Sequence, residues 1–136
     1  MKGELVKYIS KHQQILQKIK KYRNALSKSY EKIKDLPEKD LDINDSAAAT
    51  TQYITAISEL AKLIENEEIE EKIAYLVKGR VQRTRNIAAH DYYSINWTLV
   101  KDVCRNILDK VTDKVIDQCI EIAEKECNDI KDYTEL

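Results

Sequence analysis

The sequence predicts an all-α fold, an antiparallel four-helix bundle, and three observations predict it. Composition is the first. The chain has 136 residues, of which 35% are charged, with only 2 Gly, 1 Pro and no Phe. Lys, Glu, Ile, Leu, Ala and Gln dominate, and all but Ile are strong helix formers. A strand protein of this length needs turns built on Gly, Pro and Asn-Gly pairs, which are scarce here. The second observation is that apolar residues recur at steps of three, four and seven, the spacing of one helical face. The third is that the breaks between periodic stretches are short and carry capping residues, so neighbouring helices pack antiparallel. The length fits one domain, residues 1–136, burying roughly two-thirds of the surface its unfolded chain exposes.

The elements follow in order. A first helix is expected from about Glu4 to Ile33, with Leu5, Ile9, Leu16, Ile19, Leu26, Tyr30 and Ile33 on its apolar face. The stretch from Asp35 to Asp40 ends it, because Pro37 disfavours helical geometry at Leu36. A second helix starts after Asn44 or Asp45, either of which can cap free backbone N–H groups. It runs through Ala47, Thr51, Ile54, Ile57, Ala61 and Ile64. A third begins near Glu67 and carries Ile69, Ile73, Leu76, Val77, Val81 and Ile87, with Gly79 inside it. The stretch from Asp91 to Asn96 interrupts the pattern. Ser94 or Asn96 then caps a fourth helix through Trp97, Val100, Val103, Ile107, Val111, Val115, Cys119 and Ile122. The tail beyond Cys127 is polar and expected to fray.

Several function classes are disfavoured by the same reading. A net charge of −1 gives no strong general pull on phosphate polymers, so any nucleic-acid binding needs a local basic patch. No apolar run approaches the roughly 20 residues of a membrane span, and no signal peptide is recognised. Cys104, Cys119 and Cys127 are an odd count without a C-x-x-C pair, which fits reduced thiols in a cytoplasmic protein. Their spacings, fifteen and eight residues, match no usual zinc site, so neither a metal nor a cofactor is expected.

Chemistry concentrates in one segment. Arg80, Arg83 and Arg85 crowd the end of helix three, followed by His90, Tyr92 and Tyr93. Arginine is always charged and grips phosphate with two parallel N–H donors, and histidine exchanges protons near neutral pH. Cleavage of RNA needs a base for the 2′-hydroxyl, an acid for the leaving oxygen and a cation for the developing charge, with no obligatory metal. Tyrosines beside the pair can stack on bases. On an ideal helix Arg85 and His90 stand about 7.5 Å apart along the axis and roughly 140° apart around it. They converge only if the helix loosens near Ala89 or two copies face each other, which points toward a dimeric site. The same residue types also suit a solvated basic face and a histidine that caps a helix C-terminus.

Arg85-Asn86-x-x-x-His90-Asp91-Tyr92, following a helix with basic residues, resembles the signature of the HEPN superfamily. More narrowly it resembles the HepT family, whose motif is Arg-x4-His-x-Tyr, matched here by Arg85, His90 and Tyr92 with polar Asn86 after the arginine. The stretch Ala47 to Leu63, with Glu59-Leu60-Ala61 near its end, is loosely similar to the family's preceding helix. The run Val81-Gln82-Arg83-Thr84 departs from the aromatic residue and Gly-Met pair that HepT-like sequences often carry there. The resemblance implies a homodimer with the motifs lining a cleft between protomers and a metal-independent ribonuclease toxin. Its catalytic residues are then Arg85 and His90, with Asn86, Tyr92, Arg80 and Arg83 contacting RNA. It implies as partner a small nucleotidyltransferase antitoxin of the MNT type that transfers AMP to Tyr92. Similar proteins are also described as non-catalytic, nucleotide- or substrate-binding partners of a nucleotidyltransferase.

Remaining candidates have simpler readings. His12 lies on the apolar stripe of helix one and reads as a packing residue. Cys104 and Cys119 read as small apolar side chains. Trp97, Tyr8, Tyr22 and Tyr30 read as core or interface residues. Glu59 either pairs with Arg80 or Arg85 or faces solvent, and its role stays open. The acidic run Glu65 to Glu71 reads as a solvated helix start, where negative charge is favourable.

Overall fold

The structure, a computed structural model, describes residues 10–76 and 95–134, with side chains to residue 126 in the last helix. These residues form five α-helices and no strand: α1 Lys11–Ile33, α2 Asp45–Lys62, α3 Glu67–Ile73, α4 Trp97–Ile107 and α5 Lys110–Thr134. Short 3₁₀ turns at Glu38–Asp40 and Ala74–Leu76 complete it. The all-α prediction holds among the described residues. Helix α1 is the centre, packing against α2, α4 and α5, while α3 lies against α5.

The helix starts are set by short polar side chains. Ser10 caps α1 by accepting from the Gln13 N–H at 3.1 Å. Asn44, Asn66 and Asn96 do the same for α2, α3 and α4, accepting from Ala47, Ile69 and Leu99 at 2.9, 3.0 and 3.0 Å. Each satisfies one of the N–H groups that a helix start leaves without a backbone partner. Of the paired alternatives in the sequence, Asn44 and Asn96 are therefore the caps. Leu5, Tyr8 and Ile9, expected on the first helix, lie outside the described residues, as do Val77, Gly79, Val81, Ile87 and Ser94.

The apolar stripes predict the core well in the first three helices. Leu16, Ile19, Leu26 and Ile33 of α1 interlock with Ala47, Ile54, Ile57 and Ala61 of α2, with Ile69, Ile73 and Leu76 beneath them, all buried. Among the described residues the buried Ser58 Oγ in this core has no hydrogen-bond partner.

The expected fourth helix is two helices. The chain breaks at Leu108 and Asp109, and the register of the apolar face changes there. Up to Ile107 the predicted positions Trp97, Val100, Val103 and Ile107 are buried. Beyond the break Val111 is 65% exposed, and the buried positions are Thr112, Ile116, Cys119 and Ala123. Cys119 keeps its place, while Val111, Val115 and Ile122 give way to neighbours one residue further on.

The cause is Arg23. It lies on the apolar side of α1 and is only 8% exposed. Its Nε donates to the carbonyl of Ile107 at 2.7 Å, and a terminal nitrogen donates to the carbonyl of Asp109 at 3.0 Å. The other terminal nitrogen pairs with the Asp113 carboxylate. The Ile107 carbonyl at the end of α4, left without an intrahelical partner, is thus taken by a cation from another helix. Asp109 itself caps the turn, its carboxylate accepting from the Val111 N–H at 2.9 Å and its carbonyl from the Thr112 N–H at 3.0 Å.

Arg23→Ala removes three charge-assisted hydrogen bonds, one to a half-exposed carboxylate. We expect it to lower stability by about 3 kcal/mol. For a chain of this size that is a fall of roughly 10 °C in the thermal midpoint, read by circular dichroism. A loss under about 1 kcal/mol would mean that water replaces the guanidinium at the two carbonyls.

Candidate functional site

The residues nominated for catalysis and RNA contact, Arg80, Arg83, Arg85, Asn86, His90 and Tyr92, lie outside the described residues, together with Asp91 and Tyr93. The described structure defines how the chain enters and leaves the segment that carries them.

The entry is the 3₁₀ turn Ala74–Leu76. Leu76 is fully buried and anchors it in the core. Beside it the Tyr75 hydroxyl donates to Thr112 Oγ1 at 2.9 Å, and Thr112 Oγ1 donates in turn to the Asn106 carbonyl at 3.0 Å. Burial pushes the Tyr75 phenol above its ordinary range, more than the Thr112 contact and the nearby Arg23 charge pull it down. It therefore remains a proton donor at neutral pH. The chain thus enters the segment from the same α4–α5 corner that Arg23 holds.

The exit is Ile95 to Trp97, fixed from the opposite direction in sequence. Trp97 is buried, and its indole N–H donates to the Asp42 carboxylate at 2.7 Å. Thr98 donates to Glu38, and Lys101 Nζ donates to the Leu36 carbonyl at 2.8 Å. Three residues of α4 therefore grip the 36–42 connection, and Leu41 is buried beneath it. Trp97 is the core residue that the sequence predicts, with its one polar atom satisfied.

A cleft of about 670 Å³ lies where the end of α2 meets α3 and is lined by Ala61, Lys62, Glu67, Glu70, Glu71, Ile73 and Ala74. Among its described lining residues three carboxylates stand against one lysine, which makes the α3 side of this wall unfavourable for a phosphate chain. Glu59, whose role the sequence leaves open, is exposed on α2.

His12 joins three elements. Its Nε2 accepts from the Glu65 backbone N–H at 3.2 Å, so the ring proton sits on Nδ1, which donates to Glu126 at 2.9 Å. The other Glu126 oxygen accepts from the side-chain amide of Asn66, the residue whose carbonyl oxygen caps α3. The packing role read for His12 is what this geometry provides. Both ring nitrogens are engaged within the protein. Cys104 and Cys119 are buried, and burial pushes their thiols up to about 12 and about 11. Such thiols are inert packing groups rather than nucleophiles. The Cys127 side chain lies outside the described residues. Among the described residues no three His, Cys, Asp or Glu side chains gather into a metal site, and no helix is long and apolar enough to cross a membrane.

In comparisons with known proteins, no family model, no curated protein and no solved structure matches the chain.

Sequence reasoning missed Arg23, Glu126 and Asn66. The signal for Arg23 was present: a charged residue at a position that the helical period assigns to the apolar side of α1.

Burial pushes the Glu126 carboxyl upward, but the hydrogen bonds from His12 and Asn66 outweigh it and hold the group below its ordinary 4.5. A depressed carboxyl contributes stability that is complete above the unfolded value and lost as pH falls through the folded one. Glu126→Gln is therefore expected to cost about 1 kcal/mol at pH 7 in urea titrations, and the gap to wild type to close below pH 4.5. A gap that persists at acid pH would contradict this assignment.

Proposed function

We propose that the chain is a HepT-like member of the HEPN superfamily, an antiparallel four-helix bundle acting in the cytoplasm as a homodimeric, metal-independent endoribonuclease toxin. The observation that carries the proposal is the spacing Arg85-x4-His90-x-Tyr92, with Asn86 and Asp91 between. The all-helical architecture supports the reading, and so does the position of the segment between α3 and α4, with both flanks anchored in the core.

In this reading Arg85 holds the scissile phosphate and stabilises the charge that develops on it. His90 accepts the 2′-hydroxyl proton as O2′ attacks phosphorus. The P–O5′ bond breaks, and the imidazolium returns the proton to the leaving 5′-oxygen, giving a 2′,3′-cyclic phosphate and a 5′-hydroxyl. Asn86, Tyr92, Arg80 and Arg83 contact the RNA. An MNT-type nucleotidyltransferase silences the site. The Tyr92 oxygen attacks the α-phosphorus of ATP, pyrophosphate leaves, and the phenolic proton passes to solvent. The added group carries about one negative charge and competes with RNA for Arg85.

Labelled RNA is incubated in EDTA with unmodified wild-type protein and with His90→Ala. The proposal expects cutting by wild type to 2′,3′-cyclic phosphate ends and a loss of at least about 100-fold in the variant. If dimeric, unmodified wild type leaves the RNA intact, the ribonuclease reading falls. The same segment then reads as a nucleotide- or substrate-binding partner of a nucleotidyltransferase.

A further inference from the structure

The chain's balanced charge conceals a separation of charge between helices. Helix α1 holds seven basic residues against a single acid, Glu31. Helix α3 holds four glutamates against one lysine. Some of the α1 cations are engaged: Arg23 with Asp113, Lys20 with Asp117 and Lys11 with Glu65. Lys18, Lys21, Lys28 and Lys32 are exposed and form no ion pair among the described residues. Glu31 is taken by Lys34.

These four lysines share a face. At 100° per residue they fall within an arc of about 80°, and from Lys18 to Lys32 they extend about 21 Å along the axis. The end carrying Lys28 and Lys32 opens into a groove of about 270 Å³ between α1 and α2, floored by the small residues Ala25, Ser46 and Ala49. Tyr53 lines the groove, and its ring lies 6.2 Å from that of Tyr22, tilted at 45°. Tyr22 is 38% exposed and follows Lys18 by one helical turn. Asp45, at the start of α2, is the only carboxylate among the groove's described lining residues.

We propose that this face of α1 and the adjoining groove form the track for single-stranded RNA, with the four lysines on successive phosphates and the Tyr22–Tyr53 pair against a base. The inference rests on the ribonuclease reading for its choice of RNA. The chemistry favours a phosphate chain over an acidic protein. Lysine is depleted from the cores of protein interfaces, which are built on apolar and aromatic anchors. A row of lysines without ion pairs among the described residues, beside the exposed Tyr22 and the partly buried Tyr53, is the arrangement that single strands use, backbone on cations and bases on rings. The acidic wall of α3 excludes the same ligand from the other recess.

The test uses the full chain and a fluorescein-labelled single-stranded RNA of about a dozen nucleotides, 2′-O-methylated so that it cannot be cleaved. Wild type is compared with Lys18→Gln/Lys21→Gln/Lys28→Gln/Lys32→Gln and with a control of equal charge change, Lys39→Gln/Lys110→Gln/Lys114→Gln/Lys125→Gln. Gln matches Lys in helix propensity, so both variants should keep the wild-type circular dichroism. The expected result is an affinity loss of about 100-fold at 0.1 M salt for the first variant only. The slope of log Kd against log salt should fall by about 3, four contacts at about 0.7 each. Equal losses in both variants would overturn the track, because net charge alone would explain them. An unchanged slope in the first variant would also overturn it. A shift in sedimentation rather than in RNA affinity would overturn it in favour of a protein contact. Binding of the uncleavable strand through this face by a chain that cuts no RNA would support the track while removing the ribonuclease reading. Cutting by a chain whose affinity ignores these lysines would do the reverse.

Discussion

A single buried guanidinium organises the second half of this molecule. Arg23 reaches from α1 to the carbonyls of Ile107 and Asp109 and to the carboxylate of Asp113. Burying a cation is costly unless its donors are satisfied, and here they meet two carbonyl oxygens and an anion. In return the chain can stop one helix and start another on a new register. Thr112 is thereby placed where Tyr75 can donate to it, so the same corner fixes α4, α5 and the turn that leads out of α3. The chain that leads into residues 77–94 is positioned by this cation, and the chain that leads out of them by Trp97 and Asp42.

A second theme is division of labour among charges. Of the α1 cations, buried Arg23 and exposed Lys11 and Lys20 are held in ion pairs, while Lys18, Lys21, Lys28 and Lys32 form none among the described residues. Acidic residues gather at the start of α3, where they favour the helix dipole and repel phosphate. A protein close to neutrality can therefore offer a polyanion one face and deny it another, which a net charge of −1 does not reveal.

The helices themselves were largely legible. Leu16, Ile19, Leu26, Ile54, Ile57 and Ile73 occupy the positions that periodicity assigns, and Asn44 and Asn96 cap where their residue type predicts. The break before Lys110 was not. Ile107 and Leu108 continue the apolar pattern, and the partner that ends α4 lies 84 residues away in sequence. Local pattern has no access to such a contact. For the candidate site, residue type and spacing nominate Arg85, His90 and Tyr92, which lie outside the described residues. A period of 3.6 residues assigns side chains to faces of one helix and does not encode how distant segments come together. The lysines of α1 were legible in principle, since their spacing marks one stripe.

The organising role of Arg23 is open to direct measurement by amide hydrogen exchange across the α4–α5 corner in wild type and in Arg23→Gln, under conditions where both are folded. If the guanidinium fixes the junction, the Thr112 and Asp113 amides, which are bonded to the Asp109 carbonyl in the native chain, lose protection in the variant. The middle of α2, which Arg23 does not touch, keeps its protection. Equal protection at Thr112 and Asp113 in the two proteins would contradict the account and place the cause of the helix break in the local sequence around Asp109.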